Sequence, residues 1–129
     1  MIEVGMTGRA GIAVTEANTA DAVGSGSLPV FATPCMAALM EQAAVNAISS
    51  ALGEGESSVG TRLEITHDAA TPVGMDVSAE AQVTAVDGKR ICFTVRACDG
   101  AGQIGGGTHE RFLIAVDRFL SKAARRKEG

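Results

Sequence analysis

Few side chains in this sequence could do chemistry: Thr33, Cys35, Glu41, His67, Asp68, His109 and Arg111. Glu41 is the charged residue of an otherwise apolar run, Val30 to Leu52, reading VFATPCMAALMEQAAVNAISSAL. A carboxylate at the margin of an apolar helix face is partly stripped of water, which suits a general base or a nucleophile. A solvated helix glutamate is the plainer reading. His67, at a strand end beside a Thr-Pro turn, could shuttle protons near neutral pH, or it is a surface histidine bonded to local backbone. Thr33 would need an adjacent base to act as a nucleophile. Cys35 is its rival, because amide dipoles in the first turn of a helix favour a thiolate, although a cysteine packed as a small hydrophobe is commoner. His109, Glu110 and Arg111 lack metal-ligand spacing, and His67 and His109 are the only histidines, so no metal site is expected.

The elements that must position these groups are legible in outline. Thr33-Pro34 reads as a helix opening, with the threonine hydroxyl capping free amides and proline at the first helical position. Met36, Leu39, Met40, Ala43, Ala44, Ala47, Ile48 and Ala51 then recur at three- and four-residue spacing and form one broad buried face, with Glu41 at its edge. The many alanines keep the helix thin enough for a sheet to curl around it. Eight helical residues span about 12 Å, so Thr33 and Glu41 do not touch along one straight helix. For them to share a site, His67 must bridge them, the helix must start later, or one of them must come from another subunit.

Around the helix the pattern is that of strands. Residues 7 to 16 alternate weakly, and the NTADAVGSGSLP connection reads either as a surface loop or as a mobile cover near Thr33. Val59 to His67, Asp76 to Val86, Lys89 to Cys98 and a final strand through Phe112 to Val116 follow, then a short amphipathic helix from Asp117 to Lys127. Matching Val77, Ala79, Ala81, Val83 and Ala85 to Ile91, Phe93, Val95 and Ala97 requires a three-residue turn, Val86-Asp87-Gly88, with Gly88 left-handed. The next turn, at Gly100-Ala101, must be even. It pairs Ala97 with Ile104 and turns Phe112, Ile114 and Val116 to the core, leaving His109, Arg111 and Leu113 on the opposite face. Gly105-Gly106-Gly107 is not a phosphate cradle, since no lysine or helix follows; it reads as strand that lets a ligand or another backbone come close. A strand, a long helix and a run of antiparallel strands make an α+β domain spanning residues 1–129. The helix is too apolar for the sheet to cover alone, which points to a partner subunit.

Composition excludes several functions. The formal charge of −4 and the absence of Trp and Tyr leave little for nucleic acid to bind, despite a locally basic KAARRK tail. Three cysteines without metal spacing indicate a reducing compartment, and the sequence shows neither a membrane-length apolar run nor a leader pattern at its start, so a cytoplasmic location is expected.

Taken together, FAT-x-x-M-x-x-L-M-E in the helix, then V-G-T, then T-H-x-A-A-T-P-x-G, and I-G-x-G-T-H-E-R near the end resemble the fluoroacetyl-coenzyme A thioesterase family of hot-dog-fold proteins. The resemblance runs from about Val30 to Arg111. It implies a hot-dog fold, an antiparallel sheet wrapped around a long central helix, in a homodimer or higher assembly with acyl-coenzyme A sites at the subunit interface. By motif position it implies Thr33, Glu41 and His67 as the catalytic set, with Gly60 and Arg111 near the acyl end of the substrate. No metal or separate cofactor is implied, coenzyme A being part of the substrate. Members specialised for fluoroacetyl groups carry phenylalanines in the lid before the helix, whereas GSGSLP here has none until Phe31. The expectation is therefore an acyl-CoA thioesterase for a short or small acyl group, without support for fluorine selectivity. A non-catalytic acyl-CoA binding or sensing protein on the same fold is the alternative. A hydratase would need an Asp/His pair in a different helix motif, which is missing.

Overall fold

The computed structural model describes residues 1–129. Strand β1 (Thr7–Ala13) is followed by a 3-10 turn (Glu16–Asn18), the short helix α1 (Ala20–Val23) and the long helix α2 (Thr33–Ile48). Strands β2 (Glu56–His67), β3 (Asp76–Asp87), β4 (Arg90–Asp99) and β5 (Gly102–Ala115) come next, and helix α3 (Val116–Ala124) ends in a 3-10 turn. The five strands form one antiparallel sheet in the order β1-β3-β4-β5-β2, so β2 crosses to the far edge rather than pairing with β3. No helix is long and apolar enough to cross a membrane.

Helix α2 lies against the sheet as its pattern requires. Met36, Leu39, Met40, Ala43, Ala44, Ala47 and Ile48 are buried against Val77, Ala79, Ala81, Val83, Ile91, Phe93, Val95, Ala97 and Ile104. Alanine at 43 and 47 lets the chain approach the helix closely. A Cβ placed on Gly8 of β1 would collide with the Ala43 carbonyl and the Ala47 amide, so only a residue without a side chain fits there. The connection before α2 is partly ordered by local hydrogen bonds, with Thr15 and Asn18 forming a capping box around the 3-10 turn.

Three expectations need correcting. The residue before α2 that caps it is Ala32, and the Thr33 hydroxyl makes no capping bond. The β3–β4 turn has two residues, Gly88 and Lys89, with Gly88 at φ +61°. Val83 still meets Phe93, because the odd residue is accommodated by a bulge between Val83 and Ala85 inside β3, and Ala85 is thereby exposed. The β4–β5 turn is even, as reasoned, with Asp99 opposite Gly102, but a bulge between Ala97 and Cys98 sets Ala97 opposite Gly105 rather than Ile104. Since side chains alternate with a period of two, that one residue inverts the rest of β5. His109 and Arg111 point into the protein at 3% and 6% exposure, while Phe112 is 40% exposed. The Ile104 carbonyl accepts the Asp68 amide at 2.6 Å and the Ala69 amide at 3.2 Å, which ties the bulge to the end of β2. The glycines that follow admit another backbone: Cβ atoms at Gly105 and Gly107 would strike the Thr66 and Glu64 carbonyls of β2.

Candidate active site

Two polar clusters lie along α2, the first made with the end of β2 and the second with β5 and the middle of β2. At the start of the helix, Thr33 Oγ1 is 2.8 Å from His67 Nδ1. Thr33 is free to make this bond because Ala32, not Thr33, occupies the cap position, and His67 is the last residue of β2. His67 Nε2 is buried and has no hydrogen-bond partner, although the ring lines an open cleft of about 330 Å³ with Phe31, Ala69 and Ala70. A hydroxyl bonded to an imidazole is the kind of pair that can pass a proton. Asp68 turns its carboxylate to Thr66 Oγ1, 3.0 Å away.

Two turns further along, Glu41 sits at the helix margin with its side chain 42% exposed, as its place in the pattern predicts. Its Oε2 accepts from Arg111 Nη1 at 3.3 Å and lies 4.0 Å from His109 Nε2. Arg111 is anchored on its other side, donating from Nε to Ser58 Oγ (2.9 Å) and from Nη2 to the Ser58 carbonyl (3.1 Å). Burial pushes the Arg111 pKa down from its ordinary value, and the carboxylate of Glu41 opposes that shift. His109 donates from Nδ1 to the Arg62 carbonyl at 2.7 Å, which leaves Nε2 to accept from Arg111 Nη1 at 3.2 Å. Burial, and then the charge of Arg111, lower the His109 pKa from its ordinary value, the Arg62 carbonyl and nearby carboxylates partly offsetting them. Gly60, beside a bulge in β2, brings bare backbone against this cluster: a Cβ there would lie 2.5 Å from Glu41 Oε2, 3.3 Å from His109 Cε1 and 3.4 Å from Arg111 Nη1.

The candidates are thus sorted by contact. Thr33 pairs with His67, while Glu41, Gly60 and Arg111 meet one another. Neither Thr33 nor His67 hydrogen-bonds Glu41, and α2 begins at Thr33, so of the three ways of joining them the two that lie within one chain are absent. Cys35 is half-buried against the core and bonded to neither histidine, which removes the Cys-His arrangement. No three His, Cys, Asp or Glu side chains gather as metal ligands. His109, a candidate by residue type but placed by pattern on the outer face, and Ser58, which pattern did not single out, belong to the Glu41 cluster. The signal for His109 was the glycine directly after Ile104, since glycine inside a strand often marks a bulge.

The fold and much of the sequence are shared with known proteins. The family described as fluoroacetyl-CoA-specific thioesterase (FlK) matches residues 14–117. The fluoroacetyl-CoA thioesterase of Streptantibioticus cattleyicolor is 46% identical over 93 residues, covering 72% of this chain and 67% of that protein. The solved structure of the fluoroacetyl-CoA thioesterase FlK superposes with a TM-score of 0.90 at 37% identity, covering 97% of each chain. A hypothetical protein of Thermus thermophilus, described as a thioesterase superfamily member, gives 0.91 at 30% identity, covering 99% of this chain and 95% of that one. With a five-stranded antiparallel sheet curled on one long helix, and with matches across most of its length, the chain belongs to the FlK family of hot-dog thioesterases.

Proposed function

We propose that this protein hydrolyses a short or small acyl-coenzyme A thioester to the free acid and coenzyme A, with Thr33, Glu41 and His67 as the catalytic set. The observation that carries this is the pair of clusters beside α2: a carboxylate held by a buried guanidinium of β5, and a Thr-His couple whose second ring nitrogen has no protein partner. The family relationship supports the thioester chemistry, and a threonine-to-serine variant of FlK has been solved with acetyl-CoA (TM-score 0.91, 36% identity, covering 97% of this chain and 98% of that one).

In this reading Glu41 attacks the thioester carbonyl, or takes a proton from the water that does. Backbone amides at the start of α2 or at Gly60 face the developing oxyanion. Collapse of the tetrahedral species breaks the C–S bond, and the departing thiolate takes its proton through the His67–Thr33 couple; where Glu41 is the nucleophile, the acyl-glutamyl anhydride left behind is then hydrolysed by water, which frees the acid and restores the carboxylate. Arg111 and Gly60 border the acyl end. One water is consumed for each acid and thiol formed, so the reaction balances without a separate cofactor.

Because Thr33 and His67 do not reach Glu41 within one chain, we place the working site between two copies of the chain, one contributing the Thr33–His67 pair and the other Glu41. β2 supports such a homodimer. It is a twelve-residue edge strand with one side unpaired, and it carries Ser58, Gly60 and His67. The lid residues GSGSLP contain no aromatic ring, so fluorine selectivity is not part of the proposal.

Thiol release from a panel of short acyl-CoA esters tests the activity. Glu41→Gln should lower kcat by roughly 10² or more if the carboxylate is base or nucleophile. Unchanged turnover in that variant removes Glu41 from the mechanism, and tight acyl-CoA binding without turnover by the wild type would favour the sensing alternative. After a single turnover in ¹⁸O-water, label in the Glu41 carboxylate identifies the anhydride route, because it enters there only when water opens the anhydride at the glutamyl carbonyl. Size-exclusion chromatography with light scattering tests the dimer, against which a stable monomer at micromolar concentration would count.

A further inference from the structure

His109 is more completely buried than any residue in the proposed catalytic set, yet the reaction outlined above does not use it. Its ring is 3% exposed and stacks on Phe93 with centroids 5.8 Å apart and planes at 28°. Both nitrogens are committed. The Arg62 carbonyl can only accept, so Nδ1 carries the proton; a guanidinium can only donate, so Nε2 must present its lone pair to Arg111 Nη1. A chain of hydrogen bonds therefore runs from the backbone of β2 through the imidazole and the guanidinium to the Glu41 carboxylate. With Ser58 fixing Nε and Nη2, Nη1 is the edge of Arg111 that His109 and Glu41 share.

We propose that His109 is a positioning residue for the reaction: as a neutral, Nδ1-protonated imidazole it holds the Arg111 guanidinium at the angle from which Nη1 orients the Glu41 carboxylate. The proposal rests on Glu41 being the reacting carboxylate. A protonated ring would present N–H to N–H at Nη1 and push the guanidinium away. Placing the ring between an obligate acceptor and an obligate donor excludes that state, and burial, which lowers its pKa, works in the same direction. His109 contacts Glu41 only at 4.0 Å and acts through Arg111.

Two substitutions separate the ring's two bonds. His109→Gln places an amide oxygen near the Nε2 position, where it can accept from Arg111. His109→Asn keeps a donor near Nδ1 for the Arg62 carbonyl and leaves nothing at Nε2. The expected result is that kcat for a short acyl-CoA falls roughly 10- to 100-fold in His109→Asn, with KM changed by less than about threefold. His109→Gln should recover most of that loss. In a Glu41→Gln background, His109→Asn should have little further effect on residual turnover, because both changes remove the same alignment. The proposal is overturned if Asn and Gln behave alike, if the loss appears in KM alone, or if the Asn effect persists in full in the Glu41→Gln background. The underlying reading fails separately, and visibly, if Glu41→Gln by itself turns over like the wild type. Should His109→Asn not fold, His109→Gln with kcat more than about tenfold down would equally overturn the proposal, since the acceptor is then present without its effect.

Discussion

Replacing Gly60 with alanine adds one methyl group at the tightest point of the Glu41 cluster. Gly60 φ lies outside the left-handed region, so the backbone accepts alanine and the consequence is one of contact alone. The new Cβ would stand 2.5 Å from Glu41 Oε2, whereas a carbon and a carboxylate oxygen settle at roughly 3.3 Å or more. The carboxylate must therefore retreat by about 0.8 Å. It can do so, because its side chain is 42% exposed and ends a flexible stem, but the 3.3 Å contact with Arg111 does not survive the move. The fold should lose no more than about 1 kcal/mol, since the guanidinium keeps Ser58 and His109. A displacement of about 1 Å at a reacting group costs on the order of 10²-fold in rate. Steady-state thiol release and a thermal melt on the same sample check both halves. Turnover within about twofold of wild type would refute the reasoning, because Glu41 would then be shown to work equally well without its present alignment.

Thr33→Ala should leave stability within about 0.5 kcal/mol, because Thr33 is exposed and is not the helix cap, while lowering turnover through loss of the His67 partner; a melt shifted by a full capping energy of about 1 kcal/mol would argue against this. Gly8→Ala should destabilise by about 1–3 kcal/mol, readable by urea unfolding, since α2 must move away from β1 to admit the methyl group. The pH dependence of stability carries a sign fixed by His109. Its folded pKa lies below the ordinary 6.5, so the unfolded chain binds more protons as pH falls; this contribution is undiminished above about pH 6.5 and is lost progressively below it. Melts between pH 5 and 7.5 should therefore fall toward acid more steeply in the wild type than in His109→Gln, and parallel curves would contradict the assignment. The lowered pKa values of Asp99, bonded to Thr71, and Glu110, bonded to Thr61, contribute stability that is present above their ordinary values of 3.8 and 4.5 and is lost as pH falls through them, mostly below that window.

Much of the fold was legible in the sequence. The stripe on α2 and the alternation in β3 and β4 named the core apart from Ala51, which is half-buried, and Ala85, which the β3 bulge exposes, because burial on one face of a helix or strand leaves a periodic trace in residue type. The motif spacing named the family. What pattern could not decide is where a strand carries one extra residue. A period of two specifies a face only relative to an unbroken register, and the bulge after Ala97 is held by a contact distant in sequence, the Ile104 carbonyl against the amides of Asp68 and Ala69. That bulge turned His109 and Arg111 from the expected outer face to the inner one and so assembled the cluster around Glu41. The same limit applies at Thr33: its type suits a helix cap as well as a histidine partner, and only tertiary placement of the end of β2 beside the start of α2 gave its hydroxyl to His67. The sequence by itself determined which groups are available and which faces are apolar; the tertiary structure decided which groups meet, since hydrogen bonds between strands and helices far apart in the chain leave no local periodicity to read.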